Sequence, residues 1–167
     1  MGDKKQRYLT MILFTIYFLI LIWIILFKMS FSFDELYSNR SINLIPFSGS
    51  VIVNGKIYIN EIVNNILIFV PVGIYTCMLN QKWSLIKKIA VSFFISLTIE
   101  VLQFVFAMGA TDITDLIGNT LGGIIGIGIF YLFIKIFKNK TINILNVLAF
   151  IATVGLVSLL LILILAN

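Results

Sequence analysis

Residues 116–137 read LIGNTLGGIIGIGIFYLFIKIF, an apolar run with a single charge, Lys135, close to its end. About 20 helical residues span the ~30 Å hydrocarbon core of a bilayer, so this run is long and apolar enough to be a membrane-crossing helix. Four further runs have the same character: residues 8–27, 62–79, 89–108 and 142–165. Within the first run Gly118, Gly122 and Gly126 recur at i, i+4 and i+8. Small residues at that spacing let membrane helices approach closely. Pro71, in the run 62–79, predicts a kink near Pro71-Val72-Gly73. The expected fold is an all-α integral membrane protein: a five-transmembrane-helix bundle, with residues 1–167 forming a single membrane domain.

The rest of the composition agrees. The chain has 167 residues, 60% hydrophobic and only 11% charged, where a soluble domain carries about a quarter charged residues. Long unbroken apolar runs exclude the alternating strands of a transmembrane β-barrel. There is no His, which excludes imidazole catalysis and His-ligated metals, and the single Cys77 excludes an intrachain disulfide or a CxxC site. The run 8–27 is too long for a cleaved signal peptide and no small-x-small site follows it, so it reads as a retained first helix. The net charge of +5 sits in small groups beside the apolar runs, a topology signal rather than a nucleic-acid surface.

Those groups set the orientation. If all five runs cross, Lys4, Lys5, Arg7, Lys82, Lys87, Lys88, Lys135, Lys138 and Lys140 share one side, nine of the twelve basic residues. Lys28, Arg40 and Lys56 are spread through the loop 28–61 on the other. The positive-inside rule then expects a cytoplasmic N-terminus and an outer C-terminus in the cell membrane. In that outer loop, Asn54-Gly55 between two β-prone runs is a hairpin signal. Asn43-Leu44-Ile45-Pro46-Phe47 is too apolar for a free loop and is expected to dip into the outer leaflet or pack across the helix ends.

The acidic residues sort to the outer side, apart from Asp3. Glu100 lies inside the third run, eight residues from Met108, about 12 Å into the core. A carboxylate there costs roughly 2.5–3.5 kcal/mol on insertion scales and is retained when it faces a cavity, a partner or a proton. Gln103 shares its helix face at i+3. Asp112, Asp115 and Asn119 fall on one face if the fourth helix starts near Thr111, with Thr111 or Asp112 as its N-cap. Asn60, Asn64 and Asn65 stand at the outer entry of the second run beside Glu61. Three helices thereby deliver acid and amide groups to one depth, an acidic pocket opening outward.

Three blocks resemble the VanZ-like family: Arg40-Ser41-Ile42-Asn43-Leu44-Ile45-Pro46-Phe47; Asn64-Asn65-Ile66-Leu67-Ile68-Phe69-Val70-Pro71-Val72-Gly73; and Glu100-Val101-Leu102-Gln103 followed by Gly109, Asp112, Asp115, Asn119, Thr120, Leu121, Gly122 and Gly123. The resemblance covers about residues 10–135. It implies a bacterial membrane protein related to the teicoplanin-resistance factor of glycopeptide-resistance clusters. Many members carry Arg after the glycine matching Gly109; here the residue is Ala110, which leaves Arg40 as the nearest cation on that side.

Two functions from different classes follow. In the first, the pocket binds a lipid-linked cell-wall component or the lipid anchor of a lipoglycopeptide. Arg40, Asn43, Asn64, Asn65, Gln103 and Asn119 make the contacts, a guanidinium fork suiting a phosphate. In the second, Glu100, Asp112 and Asp115 are the catalytic groups of an intramembrane hydrolase or transferase acting on a lipid or cell-wall substrate, as an acid/base set or around a hard cation such as Mg²⁺. No other cofactor, no resident metal and no nucleic-acid partner is expected. The lack of inverted symmetry and of a polar lane running on to the inner side argues against a transporter.

Overall fold

The structure, a computed structural model, describes residues 2–27, 40–47, 52–53, 56–57, 59–107 and 109–166. Among them are five helices: α1 (Gly2–Phe27), α2 (Ile59–Leu79), α3 (Leu85–Phe106), α4 (Ile113–Phe137) and α5 (Thr141–Ala166). Four short strands, β1 (Arg40–Asn43), β2 (Ile52–Val53), β3 (Lys56–Ile57) and β4 (Gly109–Asp112), complete the fold. Four stretches are long and apolar enough to cross a membrane; the last, Ile113–Ile162, takes α4, a 3-10 turn at Lys138–Lys140 and α5 together.

Most helices start earlier than the apolar runs, because their first turns are polar. Ser84 caps α3 by accepting from the Lys87 N–H, and Asp112 caps α4 by accepting from the Thr114 N–H. At its other end α3 stops at Phe106, two residues before the expected boundary. Ala107 there adopts φ 55°, ψ 37°, the left-handed conformation that closes a helix, and the chain turns into β4. Met108 lies outside the described residues.

The helices pack around α2 and α4, which run parallel with their backbones nearly touching. A Cβ on Gly122 would sit 2.1 Å from the Ile66 carbonyl oxygen, and one on Gly126 2.0 Å from that of Val70. Only glycine permits this approach, so the spacing read from the sequence is the seam of the bundle; Gly73 answers it from α2, where a Cβ would meet Gly123 O at 2.0 Å. α3 lies antiparallel to α4, with Ser96 beside Asn119 and Lys88 beside Tyr131. α1 runs antiparallel to α2, Phe14 and Tyr17 stacking on Tyr75 and the Tyr17 hydroxyl donating to the Ile68 carbonyl. α5 turns back beside α1, where buried Asn146 and Thr10 share a hydrogen bond of 2.9 Å and the Asn146 amide donates to Gln6.

α3 shows most clearly which solvent this fold is built for. Lys88, Ser92, Ser96, Glu100 and Gln103 are buried, whereas Phe94, Val101 and Val105 are exposed. That is the inverse of an amphipathic helix in water. Exposed apolar side chains on every helix, such as Leu19, Leu67, Leu132 and Ile151, complete a lipid-facing belt. The polar stripe of α3 bears on the expectation that no polar lane runs on to the inner side. It runs on for three turns to Lys88, yet it is plugged: a Cβ on Gly123 would lie 2.0 Å from Ser92 Oγ, so α4 backbone packs directly on it.

At the end of the bundle that carries Glu100, β1 and β4 pair in parallel, Arg40 opposite Gly109 and Asn43 opposite Asp112. β2 and β3 pair antiparallel, Ile52 with Ile57 and Val53 with Lys56; the Asn54-Gly55 turn itself lies outside the described residues. The segment 44–47 bends across the start of α4, the Phe47 N–H donating to Thr114 Oγ1 at 3.0 Å.

Candidate functional site

The site is built where β4 becomes α4. A helix N-terminus leaves its first amide protons without intrahelical acceptors. Here side chains supply them. Glu100, nearly two turns inside α3, accepts the Asp112 backbone N–H on Oε2 at 3.0 Å, and Asp112 Oδ1 accepts the Thr114 N–H at 2.7 Å. The Thr111 hydroxyl donates to the Glu100 backbone carbonyl at 3.2 Å. Glu100 and Asp112 are 3% and 5% exposed, so two acidic side chains are held out of solvent on either side of one peptide.

Two amides bring the other segments in. Asn43 Nδ2, from β1, donates to Asp112 Oδ2 at 3.0 Å, while its own Oδ1 accepts from the Ile45 N–H. Asn65 Nδ2, from the first turns of α2, donates to Asp115 Oδ1 at 2.7 Å. Asn43, Asn65 and Asp115 are half-buried and form the exposed rim. Both amide-to-carboxylate bonds are charge-assisted when the acid is ionised, and so stronger than neutral ones. The hub therefore joins β1, α2, α3 and α4.

Of the residues expected in it, Glu100, Asp112, Asp115, Asn43 and Asn65 meet. Gln103 stays on the Glu100 face but turns to α1, its Nε2 donating to the Ile25 carbonyl at 3.2 Å. Asn119 lies deeper, its Nδ2 donating to Ser96 Oγ at 2.9 Å. Asn64 is exposed on another face of α2. The backbone of Arg40 sits in β1, and its side chain is outside the described residues. Asp112, Asp115 and Asn119 are thus not one continuous face: Asp112 belongs to the cap and reaches the hub from a strand.

Sequence reasoning missed Thr114 and Ser96, and considered Thr111 only as a cap, not as the donor to the Glu100 carbonyl. The spacing of Thr114 after Asp112 was the available signal, since an Asp N-cap bonds the amide two residues on. It also read Lys88 as a topology charge alone. Lys88 is buried, with Nζ donating to the Gln81 carbonyl at 2.9 Å and to the Tyr131 hydroxyl at 3.0 Å, at the far end from the hub.

Among the described residues, no group of three or more Asp or Glu side chains converges closely enough to hold a metal ion. Glu100 and Asp112 spend oxygens on backbone amides, and Asp115 faces Asn65.

Lipid-facing helices closed over a buried acid–amide hub define a helical membrane protein with a polar site at one end of the bundle. Residues 14–138 match the model of the VanZ/LLP1 family, ending at the break between α4 and α5. The chain is also 36% identical over 133 residues to Protein VanZ of Enterococcus faecium, covering 78% of this chain and 79% of that one. It therefore belongs to the VanZ/LLP1 family. No solved structure matches it.

Proposed function

We propose that this chain protects a bacterial cell against teicoplanin-like lipoglycopeptides from within its membrane. The hub around Glu100, Asp112 and Asp115 faces outward and binds either a lipid-linked cell-wall component or the antibiotic's lipid anchor. The observation that carries this reading is the convergence of β1, α2, α3 and α4 on three acidic side chains, two of them buried, in a membrane protein. Intramembrane carboxylates are retained mainly for function. Family membership supports the link to glycopeptide resistance.

In this reading all five helices cross, with a cytoplasmic N-terminus and an outer C-terminus. The return of α5 alongside α1 supports the fifth crossing. β2 and β3 are the arms of a hairpin in the outer loop. Leu44, Ile45 and Phe47, 70%, 66% and 51% exposed, insert at the acyl–headgroup boundary beside the hub. An amphiphile is then met by apolar side chains at its tail and by Asn65 and Asp115 at its polar end, with the basic residues Arg40 and Lys56 in the same outer loop by sequence. Gln103 and Asn119 act at one remove, through helix packing.

Expression of the chain in a susceptible host raises the inhibitory concentration of teicoplanin at least fourfold and leaves that of vancomycin, which lacks the acyl anchor, within twofold. No change for either drug overturns the reading. A second reading, a carboxylate-dependent hydrolase or transferase on a lipid-linked substrate, is favoured by the hydrogen bond from the Asp112 backbone N–H to Glu100, which holds one buried acid against the peptide that bears another. Turnover of a purified lipid-linked precursor by the wild type, lost in Glu100→Gln, selects it over binding alone.

A further inference from the structure

At the end of the bundle away from the hub, α5 leans on α1 and leaves a gap toward α2 and α4. The gap is a cavity of about 350 Å³ lined by Tyr17, Pro71, Met78, Phe133, Leu145 and Leu156 among other residues, nearly all apolar. Its wall on α5 is one stripe, from Leu145 through Leu148, Ala149, Ala152 and Thr153 to Leu156. Eleven residues of helix cover about 16 Å, and half of a ~30 Å hydrocarbon core is about 15 Å. The slot is one leaflet deep.

Its lower end has a charge. Phe133 and Leu145 flank the turn Lys138–Lys140, where Lys138 and Lys140 are exposed, as is Lys135 in the last turn of α4. Lys4, Lys5 and Arg7 are exposed at the start of α1 on the same side. Among the described residues, Glu61, Glu100, Asp112 and Asp115 all lie at the opposite end, and the one acidic residue at this end is Asp3.

We infer that this cavity is a binding site for one acidic phospholipid, an acyl chain lying along α5 and the phosphate held by Lys138 and Lys140. The two halves of the ligand do different work. Lipid tails are as apolar as the lining, so the chain gains no hydrophobic driving force on entering; it contributes packing and shape. Preference among lipids comes from the anionic headgroup beside the lysines, an attraction that falls off within a Debye length. The bound chain fills the space that α5 leaves open toward α4. The site is remote from the hub and stands whether or not that hub protects against an antibiotic.

The test uses the full chain reconstituted in nanodiscs of equal phosphatidylglycerol and phosphatidylcholine, released and weighed by native mass spectrometry. The wild type retains one phosphatidylglycerol at least tenfold more often than phosphatidylcholine. Lys138→Gln with Lys140→Gln brings that ratio within threefold of unity and leaves total lipid retention unchanged. Ala152→Phe fills the slot and lowers retained lipid at least fivefold; Leu148→Trp, one turn below, does the same and serves if the first variant is not recovered folded. Equal retention of both lipids by the wild type, or retention undiminished in both filled variants, overturns the proposal.

Discussion

Gly126→Val leaves little or no folded protein in the membrane, whereas Gly128→Val, two residues on, is recovered at wild-type level. The contrast isolates packing from helix propensity, since both changes put the same β-branched side chain on α4. At Gly126 the first added carbon already lies 2.0 Å from the Val70 carbonyl and 3.1 Å from the Ile74 backbone nitrogen. Both obstacles are main chain, so nothing can rotate away and α2 must separate from α4. Overpacking by side chains costs about 1–3 kcal/mol. Here the central helix pair itself is forced apart, and the total stability of a protein is only about 5–15 kcal/mol. At Gly128 nothing lies within 4 Å of the added carbon. Detergent-extracted yield and a size-exclusion profile decide it; equal recovery of the two variants contradicts the packing described.

Glu100→Ala and Glu100→Gln separate the two roles of that residue. Alanine removes the acceptor of the Asp112 N–H and leaves a buried donor unsatisfied, a loss of about 1–3 kcal/mol. The entry to α4 loosens with it, and the melting temperature in detergent falls by several degrees. Glutamine keeps an acceptor oxygen at that place and melts within about two degrees of the wild type. If the carboxylate only pins the backbone, glutamine preserves protection against teicoplanin. If the proton or charge matters, protection falls at least fourfold in a protein that is still folded, which is the expected result. Asp112→Ala, by contrast, removes an N-cap worth about 1 kcal/mol together with the Asn43 bond, and shows a stability loss first.

The parts of this fold legible in the sequence are those with a period or a local cap. The glycine face of α4 follows a helical repeat, and its partner had only to be some other helix. Asp112 as N-cap was readable because capping is local. Pairing of β1 with β4 was not, since four-residue strands carry little pattern and their partner lies more than sixty residues away. That pairing carries Asn43 to Asp112, so the segment expected to dip into the outer leaflet or pack across the helix ends starts from a strand that fastens the hub. Gln103 and Asn119 show the limit of shared-face arguments. Gln103 shares the helix face of Glu100 and Asn119 follows Asp115 by one turn, but each amide found an acceptor on a neighbouring helix. Lys88 shows the same limit for charge counting. Its position obeys the topology rule while its side chain is wholly inside the bundle, fixed by Tyr131 and a carbonyl.

The most direct test of the acidic hub as the working site is the teicoplanin inhibitory concentration of cells carrying Glu100→Gln, Asp112→Asn or Asp115→Asn, each at wild-type membrane abundance. Loss of protection in at least Glu100→Gln and Asp115→Asn, with vancomycin unchanged, is the outcome this account predicts. Full protection by all three contradicts it.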